Sequence, residues 1–138
     1  MALVEDQSGV PCLIITSNPG SSKQFFLLML DFHDHSTRLK RLYILFNAKH
    51  RLNDHDTQML VHLSSLLLDD KGRQRFTMQA VITKADTIDG QVSWETMKKN
   101  ILDVAPLCLS PILTSAHMNP PFGIDTLRNN ILDACSLP

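Results

Sequence analysis

The sequence has few of the residues from which phosphate-binding loops are built. It contains five glycines in 138 residues, and none of them is followed by lysine. A loop of the form G-x-x-x-x-G-K-[ST] uses glycines so that backbone N–H groups can surround the phosphates, a lysine that reaches them, and a hydroxyl for Mg²⁺. Because this pattern is absent, we expect the residues of this chain to support neither nucleotide hydrolysis nor magnesium binding.

Net charge, cysteine and long apolar runs are also scarce. The net charge is −1 with neutral histidines, so nothing in the composition demands nucleic acid or an anionic membrane as a partner. Cys12, Cys108 and Cys135 are odd in number and widely spaced, which indicates buried thiols rather than a disulfide framework. The densest apolar run, Phe25–Leu30, is too short to span a bilayer. We expect a soluble protein, with no membrane partner and no visible targeting sequence.

Apolar runs alternate with amphipathic stretches along the chain. The predicted strands are Pro11–Thr16, Leu42–Phe46, Thr77–Ile82 and a run that includes Leu113. The predicted helices are Gln24–Thr37, one capped by Asn53 or Asp54 that ends near Leu68, one capped by Ser93 with Trp94, Met97, Ile101 and Val104 on its core face, and a closing one marked by Phe122, Ile124, Leu127, Ile131 and Cys135. This order predicts an α/β fold, with a parallel sheet between helices on both faces, after an irregular segment of residues 1–10.

One predicted strand runs directly into a polar turn that contains Thr83, Lys84 and Asp86. Ligands of parallel sheets bind beyond the carboxyl ends of the strands, which is where these side chains fall. An ionised Asp carboxylate can accept hydrogen bonds from both adjacent donors of guanine, a pair that adenine does not have. A lysine stem can lie against the purine face. Taken alone, such a turn is more often an ordinary connection between a strand and a helix.

A second polar segment, Thr114-Ser115-Ala116, follows the last predicted strand and falls at the same edge of the sheet. The sequence Thr-Lys-Ala-Asp at 83–86 resembles the Asn/Thr-Lys-x-Asp motif with which guanine-nucleotide-binding proteins recognise the base. Ser115-Ala116 resembles the fifth motif of the same proteins, in which the backbone N–H at the Ala position meets the guanine O6. Leu39–Met59 resembles the segment LKRVxLLIDxRHGLxxxD of the EngB/YihA-type GTPases, small Ras-like proteins of large-ribosomal-subunit assembly.

The resemblance covers roughly Leu39 to Cys135, and it implies a fold, a ligand, a partner, a location and a set of binding residues. It implies a partial G domain over residues 11–138, an incomplete P-loop GTPase fold, with GTP or GDP as the ligand. It implies the large ribosomal subunit or its RNA as a partner, and a mitochondrial location in a eukaryote or a cytoplasmic one otherwise. The nucleotide-binding residues that it implies are Thr83, Lys84, Asp86, Ser115 and Ala116.

The segment Ser17–Lys23 can be interpreted in two ways. It is either a scrambled phosphate loop or a decayed Asp-x-Pro-Gly motif in which Ser17 replaces the aspartate, and the distance to Leu39 favours the second. The strand Pro11–Thr16 would then be the third strand of the complete fold. The central strand that normally follows it in the sheet would be missing, so we expect an unpaired edge on Leu42–Phe46.

Together these patterns predict a GTP-binding protein of the EngB/YihA type that retains guanine recognition. They predict no catalytic residue and no metal ligand, and GTPase ancestry alone leaves enzymatic activity open. The alternative comes from a different class of function: a non-catalytic remnant that acts as an interaction module, or a fragment without an independent role.

Overall fold

The computed structural model describes residues 2–5, 11–17, 39–87 and 91–135, with side chains for 39–87 and 94–135. Its strands are β1 (Ala2–Glu5), β2 (Pro11–Ser17), β3 (Arg41–Asn47), β4 (Thr77–Thr83) and β5 (Leu109–Leu113). Its helices are α1 (Asp54–Ser65), α2 (Gln91–Val104) and α3 (Ile124–Ala134), and a short 3-10 turn covers Ala85–Thr87. The predicted helix Gln24–Thr37 and residues 18–23 of the Ser17–Lys23 segment lie outside the described residues.

The five strands form one sheet in the order β1-β2-β3-β4-β5. β1 is antiparallel to β2, whereas β2, β3, β4 and β5 pair in parallel. The predicted α/β class is confirmed. The start of the chain differs from the expectation, because Ala2–Glu5 forms a strand where residues 1–10 were predicted to be irregular. A four-residue strand carries too little periodicity to be recognised in a sequence.

The prediction of an unpaired edge on Leu42–Phe46 was wrong. β2 pairs directly with β3, with Leu13 opposite Arg41 and Ser17 opposite Leu45. Burying backbone N–H and C=O groups that lack hydrogen-bond partners costs free energy. The pairing with β2 supplies these partners along one edge of β3. The sheet therefore has no gap between β2 and β3.

Side chains of β3 and β4 alternate between the two faces of the sheet, and helices cover both faces. One face carries the larger core, in which Leu42, Ile44 and Phe46 lie with residues of α1 and α2. On the other face Tyr43 and Val81 pack against Leu127, Ile131 and other residues of α3. Burial on both faces explains why the strands are almost continuously apolar.

The helix ends agree with the predictions in part. Asn53 caps α1 as expected, because its Oδ1 accepts from the Asp56 N–H at 2.8 Å and the Asp56 carboxylate accepts from the Asn53 N–H at 3.1 Å. Ser93 does not cap α2, which begins two residues earlier at Gln91. Phe122 lies before α3 and is exposed, so its assignment to the closing helix was also wrong. Within the described residues, no helix has the length and apolar character that a membrane span requires.

A polar network anchors α3 to the sheet, centred on Asn130. The Asn130 Oδ1 accepts from the Tyr43 hydroxyl at 2.6 Å and from the Arg41 guanidinium at 2.8 Å. The Asn130 amide donates to the Gln79 Oε1 at 3.2 Å, and Gln79 itself is buried. The helix face that contacts the sheet is otherwise only partly buried and apolar, so this network fixes the position of α3 along the strands.

Replacing Asn130 should therefore destabilise the fold. Asn130→Ala removes a shared partner from Tyr43, Arg41 and Gln79, and leaving such groups unsatisfied costs about 1–3 kcal/mol of unfolding free energy. Chemical denaturation measures the loss. Asn129→Ala is the matched control, because Asn129 is its exposed neighbour on the same helix. Equal stability of the two variants would show that the network does not hold α3.

Candidate functional site

The polar turn after β4 is bent sharply away from the strand. Thr83 ends the strand, and its hydroxyl donates to the Phe46 carbonyl at 3.3 Å. Lys84 follows with a φ of 55°, a left-handed conformation that is uncommon outside glycine. Asp86 lies in the 3-10 turn and Thr87 closes it, since the Thr87 N–H and hydroxyl both donate to the Lys84 carbonyl, at 2.9 and 2.7 Å. The turn therefore presents Lys84 and Asp86 at the carboxyl edge of the sheet, where both are exposed.

The segment after β5 lies directly against this turn. The Thr114 N–H donates to the Ile82 carbonyl at 2.8 Å, and the Ala85 N–H donates to the Thr114 carbonyl at 3.0 Å. The Ser115 hydroxyl then donates to the Asp86 Oδ1 at 2.6 Å. Two segments separated by 29 residues in the sequence are thus joined by main-chain bonds and by one bond between side chains.

A return of the chain holds Ser115 in place. Ser115 and Phe122 exchange two backbone hydrogen bonds of 2.9 Å, which close the loop between them. Gly123 follows with a φ of 73°, and a Cβ built on it would lie 1.8 Å from the Leu113 carbonyl oxygen. Only glycine allows the chain to pass this close to β5. Ser115 itself is 1% exposed, so its hydroxyl has a fixed position.

The electrostatic surroundings favour an ionised Asp86. The hydrogen bond from Ser115 lowers the pKa of the carboxyl below its ordinary value of 3.8, and the charges of His117 and Lys84 act in the same direction. The carboxylate is therefore negatively charged throughout the neutral range. An ionised carboxylate accepts hydrogen bonds and cannot donate them, so the site suits a ligand with adjacent N–H donors.

A third loop meets the same edge of the sheet. Asn47 ends β3 opposite Thr83, and the Ala48 N–H donates to the Thr83 carbonyl at 2.9 Å. The next residues turn back tightly, because the His50 N–H donates to the Asn47 carbonyl at 3.2 Å. Lys49, His50 and Arg51 are exposed on this turn.

An apolar pocket of about 300 Å³ lies against β5. It is lined by Trp94, Pro111, Ile112, Leu113, Phe122, Gly123 and Thr126. Trp94 is partly buried and packs against the larger core. The predicted position of Trp94 on the core face of its helix is therefore confirmed.

Of the five predicted site residues, the structure joins Asp86 and Ser115 directly and places Thr83, Lys84 and Ala116 beside them. Ala116 is exposed immediately after Ser115. The sequence reasoning missed His117, which lies close enough to affect Asp86, and Gly123, whose position after two prolines was a turn signal that could have been used. Among the residues that the structure describes, no group of three or more His, Cys, Asp or Glu side chains could hold a metal ion.

Comparison with known proteins gives no family for this chain. Its sequence matches no protein-family model and no curated protein.

Of the two described glycines, both with positive φ, Gly123 should be the more sensitive to substitution. Gly72 has a φ of 75° and open space around it. Gly72→Ala should therefore lower the unfolding free energy only by the cost of the left-handed conformation for alanine, about 1–2 kcal/mol. Gly123→Ala adds a clash with the Leu113 carbonyl, which should lower the unfolding free energy by about 1–3 kcal/mol more. Denaturation of both variants tests this, and an equal loss would mean that the approach at Leu113 is not tight.

The hydrogen bond between Ser115 and Asp86 should be visible in the titration of the carboxyl. Ser115→Ala removes the largest cause of the lowered pKa, so the Asp86 pKa should rise toward 3.8. Because the pKa is depressed in the folded state, ionised Asp86 favours folding above about pH 4, and this contribution is lost as the pH falls through the lowered value. NMR titration of the Asp86 carboxyl carbon measures the shift.

Thr87→Ala is the control, since the Thr87 hydroxyl donates to the Lys84 carbonyl and not to the carboxylate. An Asp86 pKa that is the same in the wild type and Ser115→Ala would contradict the role of the serine.

Proposed function

We propose that this chain binds guanine nucleotides through Asp86, as a diverged partial G domain of the EngB/YihA type. The observation that carries the proposal is the 2.6 Å hydrogen bond from Ser115 to Asp86. It connects the two segments whose sequences resemble the guanine-recognition motifs, although neither segment predicts the contact by itself. An ordinary polar turn after β4 has no need of a buried serine from the next strand.

The geometry suits the chemistry of the guanine base. The Asp86 Oδ1 is occupied on one side by the Ser115 hydroxyl, which orients the carboxylate in the exposed turn. A carboxylate has about four acceptor positions, so the remaining ones are enough for the ring N–H and exocyclic amine of guanine. The Lys84 stem would lie along the purine face, and the Ala116 N–H would meet the guanine O6.

The arrangement of the sheet supports the partial G domain. The parallel strands β2 to β5 lie between helices, and the three loops described above leave the same edge of β3, β4 and β5. In the proposed correspondence β2 takes the position of the third strand of the complete fold. It pairs with β3 without an intervening central strand.

The proposal includes base recognition and excludes hydrolysis. Phosphoryl transfer needs donors around the transferred group and a magnesium site, and this sequence has no phosphate loop to supply them. A role in assembly of the large ribosomal subunit, with that subunit or its RNA as partner, belongs to the same proposal. It rests on the resemblance of Leu39–Met59, as does a mitochondrial location in a eukaryote.

Exchanging the carboxylate for an amide should change the preferred base. Asp86→Asn replaces one acceptor with a donor, so guanosine phosphates should bind about tenfold more weakly or worse. Xanthine carries a carbonyl where guanine has its amine, and xanthosine phosphates should bind better relative to guanosine ones. NMR titrations of the wild type and the variant with guanosine, adenosine and xanthosine monophosphates measure both effects.

Asp70→Asn serves as the control because it makes the same charge change at an exposed position outside the two motifs. It should leave the base preference unaltered. Equal affinity of the wild type for guanosine and adenosine, or an unchanged preference in Asp86→Asn, would refute guanine recognition. A wild type that binds no nucleotide would instead support the alternative of a remnant whose motifs no longer form a site.

A further inference from the structure

Exposed cations follow the ends of two adjacent strands, β3 and β4. Lys49 and Arg51 come from the turn after β3, and Lys84 comes from the turn after β4. All three side chains are exposed. We call this group of three side chains the basic ledge.

The backbone fixes the two loops of the basic ledge against each other. Asn47 is the pairing partner of Thr83, and adjacent strands lie about 4.8 Å apart. The hydrogen bond from the Ala48 N–H to the Thr83 carbonyl continues the pairing past the strand ends. Ala48 is buried against the sheet, whereas the residues that follow it in the turn, Lys49 and His50, are exposed.

Hydrogen bonds within the turn hold its shape. The Asn47 Oδ1 accepts from the Lys49 N–H at 3.0 Å, and the Arg51 N–H donates to the Ala48 carbonyl at 3.4 Å. Arg51 and Lys84 have nearly the same left-handed φ, 54° and 55°. Each loop thus has a basic residue in the left-handed conformation.

Within the described residues, no carboxylate forms an ion pair with the basic ledge, although the charge of Lys84 acts on Asp86. Two other described cations have such partners, since Arg73 pairs with Asp69 at 3.4 Å and Arg128 pairs with Asp125 at 3.2 Å. None of the ledge side chains forms an ion pair within 4.0 Å among the described residues. Like charges grouped on one surface repel one another and attract an anion.

Among the described residues, the carboxylates near the basic ledge in the sequence are Asp54, Asp56 and Asp86. Asp54 is exposed in the first turn of α1, and Asp56 is buried and engaged in the capping of that helix. Asp86 is bound to Ser115. The three cations are exposed, and the charge of Lys84 acts on the carboxylate that the proposed function assigns to the base.

We propose that the basic ledge binds the phosphate of a guanosine whose base is held by Asp86. This inference rests on the proposed function, and it names the residues that contact the phosphate of the nucleotide. The Arg51 guanidinium can form two parallel hydrogen bonds to phosphate oxygens, and the lysines add charge at variable distance. Contacts of this kind need no magnesium ion and no glycine-rich loop.

Exposure sets the strength of these contacts. Ion pairs that are exposed to water are weak and are screened by salt. Contacts to a phosphate that is enclosed by a loop are screened less. The ledge should therefore favour phosphorylated guanosine over guanosine by about tenfold at low ionic strength. The same phosphate occurs in a free nucleotide and in a guanosine within single-stranded RNA, so the test includes both.

The experiment compares guanosine, GMP and GDP as ligands in NMR titrations. The test variant is Lys49→Gln with Arg51→Asn, where asparagine is chosen because it tolerates the left-handed conformation. The control is Lys71→Gln with Arg75→Gln, which removes the same charge from exposed residues before β4, at the other end of the strand. Thermal melting checks that both variants remain folded.

We expect the wild type and the control to bind GMP and GDP about tenfold more tightly than guanosine. The test variant retains only Lys84 of the ledge, so it should lose most of this difference, with its affinity for guanosine unchanged. Raising the salt from about 0.02 M to about 0.3 M should remove most of the difference in the wild type. Affinity without added Mg²⁺ should equal affinity with it.

Two failures are distinguishable. If guanosine, GMP and GDP bind the wild type equally while adenosine binds less well, base recognition stands and the basic ledge is refuted. If guanosine and adenosine phosphates bind equally but the test variant loses both, the ledge stands and the proposed function fails.

Titration with the single-stranded RNA trinucleotide UGU, with UAU as the control for the base, identifies the source of the phosphate. If the wild type binds UGU more tightly than GMP and this preference depends on Lys49 and Arg51, the ledge binds the phosphate of an RNA strand. If it binds GMP more tightly, the ledge binds the phosphate of the free nucleotide. No dependence on these residues for either ligand overturns the inference.

Discussion

The parallel pairing of β4 with β3 on one side and β5 on the other is the constraint on which the site depends. Asn47 lies opposite Thr83, and Ile82 lies opposite Leu113, so the three strands end at the same level. The backbone hydrogen bonds continue beyond the strands into the loops. A shift of one pair of strands by a residue would separate Ser115 from Asp86, because it would also turn each side chain to the other face.

The charge distribution at this edge explains how a site can be specific and weak at once. Asp86 remains ionised because Ser115 and nearby cations stabilise its charge, and an ionised carboxylate distinguishes guanine from adenine by donor pattern alone. The phosphate would meet only exposed cations, which contribute little in water. Base identity would therefore dominate binding, whereas in a complete GTPase the phosphate loop and magnesium add their own contacts.

Much of the fold was predictable because its central strands are strongly patterned. The continuous apolar runs at β3 and β4 and the capping pattern of Asn53 each report a local physical preference, and the structure agrees with both. The network around Asn130 could not be predicted, since it joins side chains up to 89 residues apart. The pairing of β2 with β3 was missed for a different reason: comparison with a complete fold suggested a gap that the chain itself closes.

The candidate site was predictable as residues but not as an arrangement. The motifs identified Asp86 and Ser115 separately, while their contact depends on the register of β4 and β5 and on the close passage of Gly123. The positions of Lys49 and Arg51 depend in the same way on the pairing of β3 with β4. The residue types thus determine the chemistry of the candidate site, and the pairing of strands distant in sequence determines its geometry.

The most direct test of the central claim is a map of where guanosine binds. A two-dimensional NMR titration of the wild type with guanosine, which has no phosphate, reports the amide of each residue. We predict shifts at Lys84–Thr87 and Ser115–His117, with smaller ones for adenosine at the same concentration. The absence of shifts there, or equal shifts with both nucleosides, would contradict recognition of guanine by Asp86.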